Sequence, residues 1–169
     1  MNKFSYEQGE ILAEAFNRWN VKYLFIGKSG AIFYGFPDAS RGVEIFSAKS
    51  PENGQKLSAA LRELGYVLTP KTESELISGR DFVQLRGGPF DLDLIFAPDG
   101  IETFADAQSR SLMIDGKFPV ASLDDIIASK RAANRAKDRE SLPRLEAFRD
   151  YLRSRNLTAL PANPSESKS

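Results

Sequence analysis

Asp91 and Asp93 stand two residues apart in the run Pro89-Phe90-Asp91-Leu92-Asp93-Leu94-Ile95-Phe96. On a β-strand, residues two apart project to one face. Gly42 and Glu44 have the same relation in Arg41-Gly42-Val43-Glu44-Ile45-Phe46. Two such strands side by side would direct Glu44, Asp91 and Asp93 to one spot. Clustered carboxylates are the usual means of holding Mg²⁺ against phosphates. Two like charges adjacent on one face repel unless cations lie between them. The plainer reading of the same pattern is a half-buried strand with a solvated acidic face. Position 42 would complete a second acid-x-acid pair, but it is glycine.

Other chemistries are closed by composition. The 169 residues include no cysteine and no histidine. Thiolate nucleophiles, disulfides, imidazole bases and nearly all transition-metal sites are thereby excluded. Carboxylates, Lys/Arg, hydroxyls and hard cations remain. The 23 Lys+Arg balance 23 Asp+Glu, so wholesale nucleic-acid binding is not implied. The basic charge is nonetheless concentrated: residues 130–155 carry nine Lys/Arg against four Asp/Glu. No apolar run approaches a membrane span and no signal-peptide core follows Met1. A cytoplasmic protein with no membrane contact is expected.

Gly27-Lys28-Ser29 follows the apolar run Tyr23-Leu24-Phe25-Ile26. A P-loop would require glycine where Lys22 stands, so ATPase-type binding is rejected. A glycine at a strand end with Ser29 and Gly30 opening a helix still offers free N–H groups for phosphate. A plain tight turn is the alternative. The segment Lys130 to Asp138 is a basic helix end, either a clamp on phosphate oxygens or a solvated face with intrahelical ion pairs.

The elements that must position these groups follow from periodicity and capping signals. Helices are expected over residues 5–20, 29–34, 50–65, 72–77, 102–109, 122–134 and 137–155. The third of these opens on Ser50-Pro51, and the sixth on Ser122 with Asp125 at the capping-box position. Pro143 is tolerable in the last only as a kink or near its start. Strands are expected over residues 23–26, 43–47, 66–68, 82–86, 90–96, 112–114 and 118–120. Gly87-Gly88-Pro89 and Asp115-Gly116-Lys117 read as hairpin turns. The fold class is α/β (α+β): a mixed β-sheet flanked by helices, with a helical C-terminal part. Residues 1–121 form the expected core, 122–155 the helices packed on it, and 156–169 a disordered tail.

In order and spacing these parts resemble the nucleotidyltransferase superfamily, in its small prokaryotic branch that includes abortive-infection-type toxins. Gly27-Lys28-Ser29-Gly30-Ala31 matches the family turn and short helix. Gly42-Val43-Glu44 stands where acid-x-acid belongs, and Asp93 matches the third acid, with Asp91 beside it. Leu123-Asp124-Asp125-Ile126-Ile127, Lys130 and Arg135-Ala136-Lys137-Asp138 match the C-terminal pattern. The resemblance covers about Val21 to Leu145. It implies that Mg²⁺ held by Glu44, Asp91 and Asp93 aligns in-line attack on the α-phosphate of an NTP by a hydroxyl acceptor. Glu44 and Asp93 would be the remaining catalytic acids. Gly27, Lys28 and Ser29 would hold phosphate, and Lys130, Arg135 and Lys137 the triphosphate. Gly42 removes a ligand shared by both ions, which implies impaired transfer; Asp91 or Asp38 is the candidate substitute.

Two other readings compete. One is a non-catalytic interaction module, such as a toxin–antitoxin component or a homodimer, with an apolar surface near Phe33, Tyr34 and Phe36. The other, less favoured, is a nucleic-acid binder using residues 130–155.

Overall fold

The structure, a computed structural model, describes residues 4–155. The expected disordered tail, 156–169, lies outside the described residues. Strands β1 (Tyr23–Ile26), β2 (Gly42–Ser47), β3 (Phe82–Leu85), β4 (Asp91–Ile95), β5 (Leu112–Ile114) and β6 (Phe118–Val120) form one mixed sheet. Its order is β3-β4-β2-β1-β6-β5. The β2–β4 and β1–β6 pairs are parallel, while β1–β2, β3–β4 and β5–β6 are antiparallel. The flanking helices are α1 (Tyr6–Arg18), α2 (Gly27–Phe33), α3 (Pro51–Leu64), α4 (Pro70–Ser78), α5 (Phe104–Arg110), α6 (Leu123–Ala133) and α7 (Ala136–Ser154). This is the α/β arrangement of a mixed sheet flanked by helices.

Alternation sets which face each strand buries. Val43 and Ile45 of β2 and Leu92 and Leu94 of β4 are buried, each 1% exposed or less. Gly42, Glu44, Asp91 and Asp93 lie on the opposite, half-buried face. The same alternation therefore builds the core and presents the acids. Asn53 at the start of α3 fastens the sheet at its far end. Its Oδ1 accepts from Lys22 N at 2.8 Å, and its Nδ2 donates to Ser47 Oγ and Ala48 O at 3.0 and 2.9 Å.

Several expectations need correction. Residues 66–68 form no strand. The chain leaves α3 through Gly65 at φ 105° and continues irregularly. Tyr66 is buried, whereas Val67 is 92% exposed. Tyr66 is retained by a tertiary contact rather than by sheet pairing: its hydroxyl donates to Phe90 O. Of the two places open to Pro143, a position near the start of α7 is ruled out, since it lies inside the helix, where a kink is the alternative. Ser122 caps α6 by accepting from Asp125 N, but the Asp125 carboxylate does not close the capping box. It accepts two hydrogen bonds from Arg110 Nε instead, at 3.2 and 2.9 Å.

The apolar surface expected near Phe33, Tyr34 and Phe36 is also absent. Phe33 packs against Phe25 and Phe118, with ring centroids 4.7 and 4.5 Å apart. Tyr34 is buried and donates to Ala121 O at 2.8 Å. Phe36 is buried edge-on to Phe148 of α7. These aromatics join α2 and its following loop to the sheet and the last helix. Among the described residues, no helix is long and apolar enough to cross a membrane.

Candidate functional site

The parallel register of β2 and β4 sets Gly42 opposite Asp91 and Glu44 opposite Asp93. Antiparallel pairing of β3 adds Gln84 opposite Asp93, and β1 adds Ile26 opposite Glu44. A row of Gln84, Asp93, Glu44 and Ile26 thus crosses the sheet beside the start of α2. The Glu44 carboxyl lies over Gly27. A Cβ added at Gly27, whose φ is +67°, would meet the carboxyl carbon at 2.3 Å. Glycine at position 27 is what admits the carboxylate. Burial pushes the Glu44 carboxyl above its ordinary pKa; Lys130, Lys137 and Arg135 pull it down and Asp93 adds to the rise.

The turn assigned to phosphate in the sequence is filled from within. The Ser29 side chain is buried. Its hydroxyl donates to Ile26 O at 3.0 Å and accepts from Glu44 N at 3.0 Å. That hydroxyl fixes α2 to β2 and so holds Glu44 in register. Lys28 faces away from this turn into a charged cavity, where its Nζ is 3.6 Å from Asp38 Oδ2.

Asp91 and Asp93 already have a cation. Arg86 Nη1 donates to Asp93 Oδ1 at 2.9 Å, and Arg86 Nε lies 3.7 Å from Asp91 Oδ2. The hairpin between β3 and β4 presents this arginine. Gly87 adopts φ +80°, and a Cβ at Gly88 would stand 2.2 Å from the Tyr66 ring. The ring therefore lies directly on Gly88 while its hydroxyl binds Phe90 O, anchoring the turn on both sides of Pro89.

Position 42 is closed by main chain. A Cβ on Gly42 would meet Asp91 O at 2.4 Å, Asp91 Cβ at 2.8 Å and Asp91 C at 2.9 Å. A carboxylate there would require β4 to move. Asp38, a candidate substitute, is engaged by other partners. Its Oδ1 accepts from Ala39 N at 2.7 Å, and its Oδ2 binds Arg144 Nη2 at 2.5 Å. The Ala39 N–H, then Arg144 and Lys28, hold its pKa below the usual carboxylate value against the opposing effect of burial.

These residues do not fit a pair of Mg²⁺ ions. Glu44 and Asp93 are neighbours, but Asp91 and Asp93 share Arg86 and the fourth corner is Gly42. Among the described residues, no group of three or more carboxylates is arranged to hold a metal ion. Mg²⁺ held against phosphates relies on such oxygen ligands.

The basic segment divides in two. Asp138 is fully buried and draws both Lys130 and Arg135 to itself. Lys130 Nζ lies 3.5 Å from Asp138 Oδ1, and Arg135 Nε donates to Oδ2 at 2.7 Å. The Arg135 main-chain N–H adds a bond to Oδ2 at 3.1 Å. Burial works to raise the pKa of Asp138, but these bonds and the Lys130 charge hold it below the ordinary range. Lys130 and Arg135, expected at the triphosphate, are thus engaged in joining α6 to α7. Lys137 has no carboxylate within ion-pair distance among the described residues.

Two cavities meet at Glu44, Asp93, Lys130 and Lys137. The first encloses about 460 Å³, and its wall adds Lys28, Arg41, Arg86 and Arg144 as cations. The second encloses about 600 Å³, and Ile26, Gln84, Ile95 and Pro98 contribute to its wall. Both volumes lie in the range of small-ligand sites. Arg86 and Arg144 were not singled out in the sequence. The signal for Arg86 was present: it stands directly before the Gly87-Gly88-Pro89 turn, close to an aspartate pair that favours a neighbouring cation. Arg144 carries no comparable local signal.

Neither a protein-family model nor a curated protein sequence matches the chain. Among solved structures, one from Thermotoga maritima described as a "putative nucleotidyltransferase (TM1012)" is similar. The identity is 14%, over 85% of this chain and 89% of that one, with a TM-score of 0.45.

Proposed function

We infer that this chain is a nucleotidyltransferase-like protein that retains binding of nucleotide phosphates and is impaired in nucleotidyl transfer. The observation that carries this reading is the first cavity. Lys28, Arg41, Arg86, Lys137 and Arg144 line it beside Asp38, Asp91 and Glu140. Arg41 and Lys137 have no carboxylate within ion-pair distance among the described residues. Glu44 and Asp93 stand on adjacent parallel strands at its floor. Flexible ammonium groups and planar guanidinium groups together suit the oxygens of a polyphosphate. The order of turn, strand acids and C-terminal basic helix supports the same reading. Transfer is impaired because Gly42 supplies no metal ligand and its space is closed by Asp91. Nucleotide is the partner this reading names, and Glu44 and Asp93 are the acids left at the reacting position.

Calorimetric titration with ATP, GTP, CTP, UTP and inorganic tripolyphosphate tests it. Saturable binding is expected for at least one nucleotide, weakened in Lys137→Ala and Arg41→Ala. Incubation with radiolabelled NTP and cell extract is expected to label no acceptor above background. Absence of heat with every NTP would remove the nucleotide reading, and robust labelling would remove the impairment.

A further inference from the structure

We propose that Arg86 stands in for a divalent cation at the Asp91–Asp93 pair, so that the cavity takes polyphosphate without metal. This rests on the nucleotide reading for its ligand, but the role of Arg86 can be tested apart from it.

Two carboxylates side by side on one strand face need positive charge. A bound ion is one solution; a guanidinium fixed at the end of the neighbouring strand, on the hairpin turn, is another. Arg86 contacts both aspartates, through Nη1 at 2.9 Å and Nε at 3.7 Å. It is not a casual surface pair, because the turn that carries it is held by Tyr66 on Gly88 and Phe90. Arg86 Nη2 has no hydrogen-bond partner among the described residues. A guanidinium has five N–H donors in a fixed fork. It can therefore keep both carboxylates and still donate to a phosphate oxygen in the cavity it lines. Lys137 and Arg41 line the same cavity and have no carboxylate within ion-pair distance among the described residues. Gly42 completes the case from the other side, since its closed position keeps a further acid from restoring a metal cage.

The test uses the intact protein and two probes. Mn²⁺ alone is titrated and followed by electron paramagnetic resonance, with wild type, Arg86→Ala and Arg86→Ala/Asp93→Asn. Wild type is expected to show no saturable Mn²⁺ binding. Arg86→Ala is expected to gain weak binding of a single ion through the freed Asp91 and Asp93 alone, its other positions filled by water, and the double variant to lose it again. Saturable binding by wild type, or none by a folded Arg86→Ala, would overturn the proposal. The Arg86 side chain is 48% exposed, and circular dichroism checks that the variant folds. The second probe is ATP, titrated in excess EDTA and in excess MgCl₂. Wild type is expected to bind equally in both, and Arg86→Ala to lose about ten-fold in EDTA, the worth of one charge-assisted hydrogen bond. Binding by wild type only with Mg²⁺ would also overturn the proposal. No ATP binding in either buffer would sink the nucleotide reading and with it the polyphosphate half of the proposal, and the Mn²⁺ result alone would then decide whether Arg86 takes a cation's place.

Discussion

Gly42 faces Asp91 across the parallel β2–β4 pair, and a Cβ on Gly42 would lie 2.4 Å from the Asp91 carbonyl oxygen. The glycine is there because a backbone occupies the space a side chain would need. Gly42→Ala is expected to cost about 1–3 kcal/mol through overpacking, read as a lower urea midpoint. Gly42→Asp is expected to cost at least as much and not to create a Mg²⁺ site. A Gly42→Asp protein as stable as wild type would show that β4 yields easily.

Glu44 gives a pH prediction. Burial raises its folded pKa above the ordinary value of a glutamate. A raised folded pKa means that its favourable contribution is complete below the unfolded pKa and is lost as pH rises through the folded value. Glu44→Gln should therefore be more stable than wild type at pH above the folded value. The difference should vanish below about pH 4.5, the unfolded value. Denaturation midpoints of both proteins across this range check it. A variant less stable than wild type at neutral pH would mean that the nearby lysines outweigh burial.

Asp138 is the centre of the α6–α7 connection. Asp138→Asn leaves the Lys130 ammonium, only 10% exposed at its side chain, without a counter-charge. Loss of about 3–5 kcal/mol is expected, as for breaking one partner of a buried pair. Lys130→Met added to Asp138→Leu should recover much of it. Thermal denaturation of the single and double variants distinguishes a charge effect from loss of packing.

Tyr66→Phe removes the donor to Phe90 O and leaves a buried carbonyl unpaired. A loss of about 1–3 kcal/mol is expected. Hydrogen exchange should quicken across residues 86–90 more than in the central strands. Uniform quickening would indicate that Tyr66 serves the whole core and not the hairpin.

Much of the fold was legible locally. Ser50-Pro51 opens α3, Gly87-Gly88-Pro89 turns the β3–β4 hairpin, and the alternation around Asp91 and Asp93 gives the face of β4. The gap at Gly42 was also visible. Its cause was not, because the approach of Asp91 depends on which strand pairs with β2. The Tyr66-Val67-Leu68 run has strand-forming residues, yet one tertiary hydrogen bond decides its path. Arg135 and Asp138 are three apart on a helix, so their pairing was open to reading. The burial of Ser29 was not, since its bond to Glu44 N joins residues 15 apart in the chain.

The rim and the floor of the charged cavity differ in how they meet ionic strength. Arg144–Asp38 and Lys28–Asp38 are partly open to water, with side-chain exposures of 53%/24% and 34%/24%. Lys130–Asp138, at 10%/1%, is sealed. Mobile ions screen exposed pairs and reach buried ones far less. Added salt therefore loosens the mouth of the cavity while the joint between the last two helices stays tight. The entrance is the salt-sensitive part of this molecule, and the frame behind it is not.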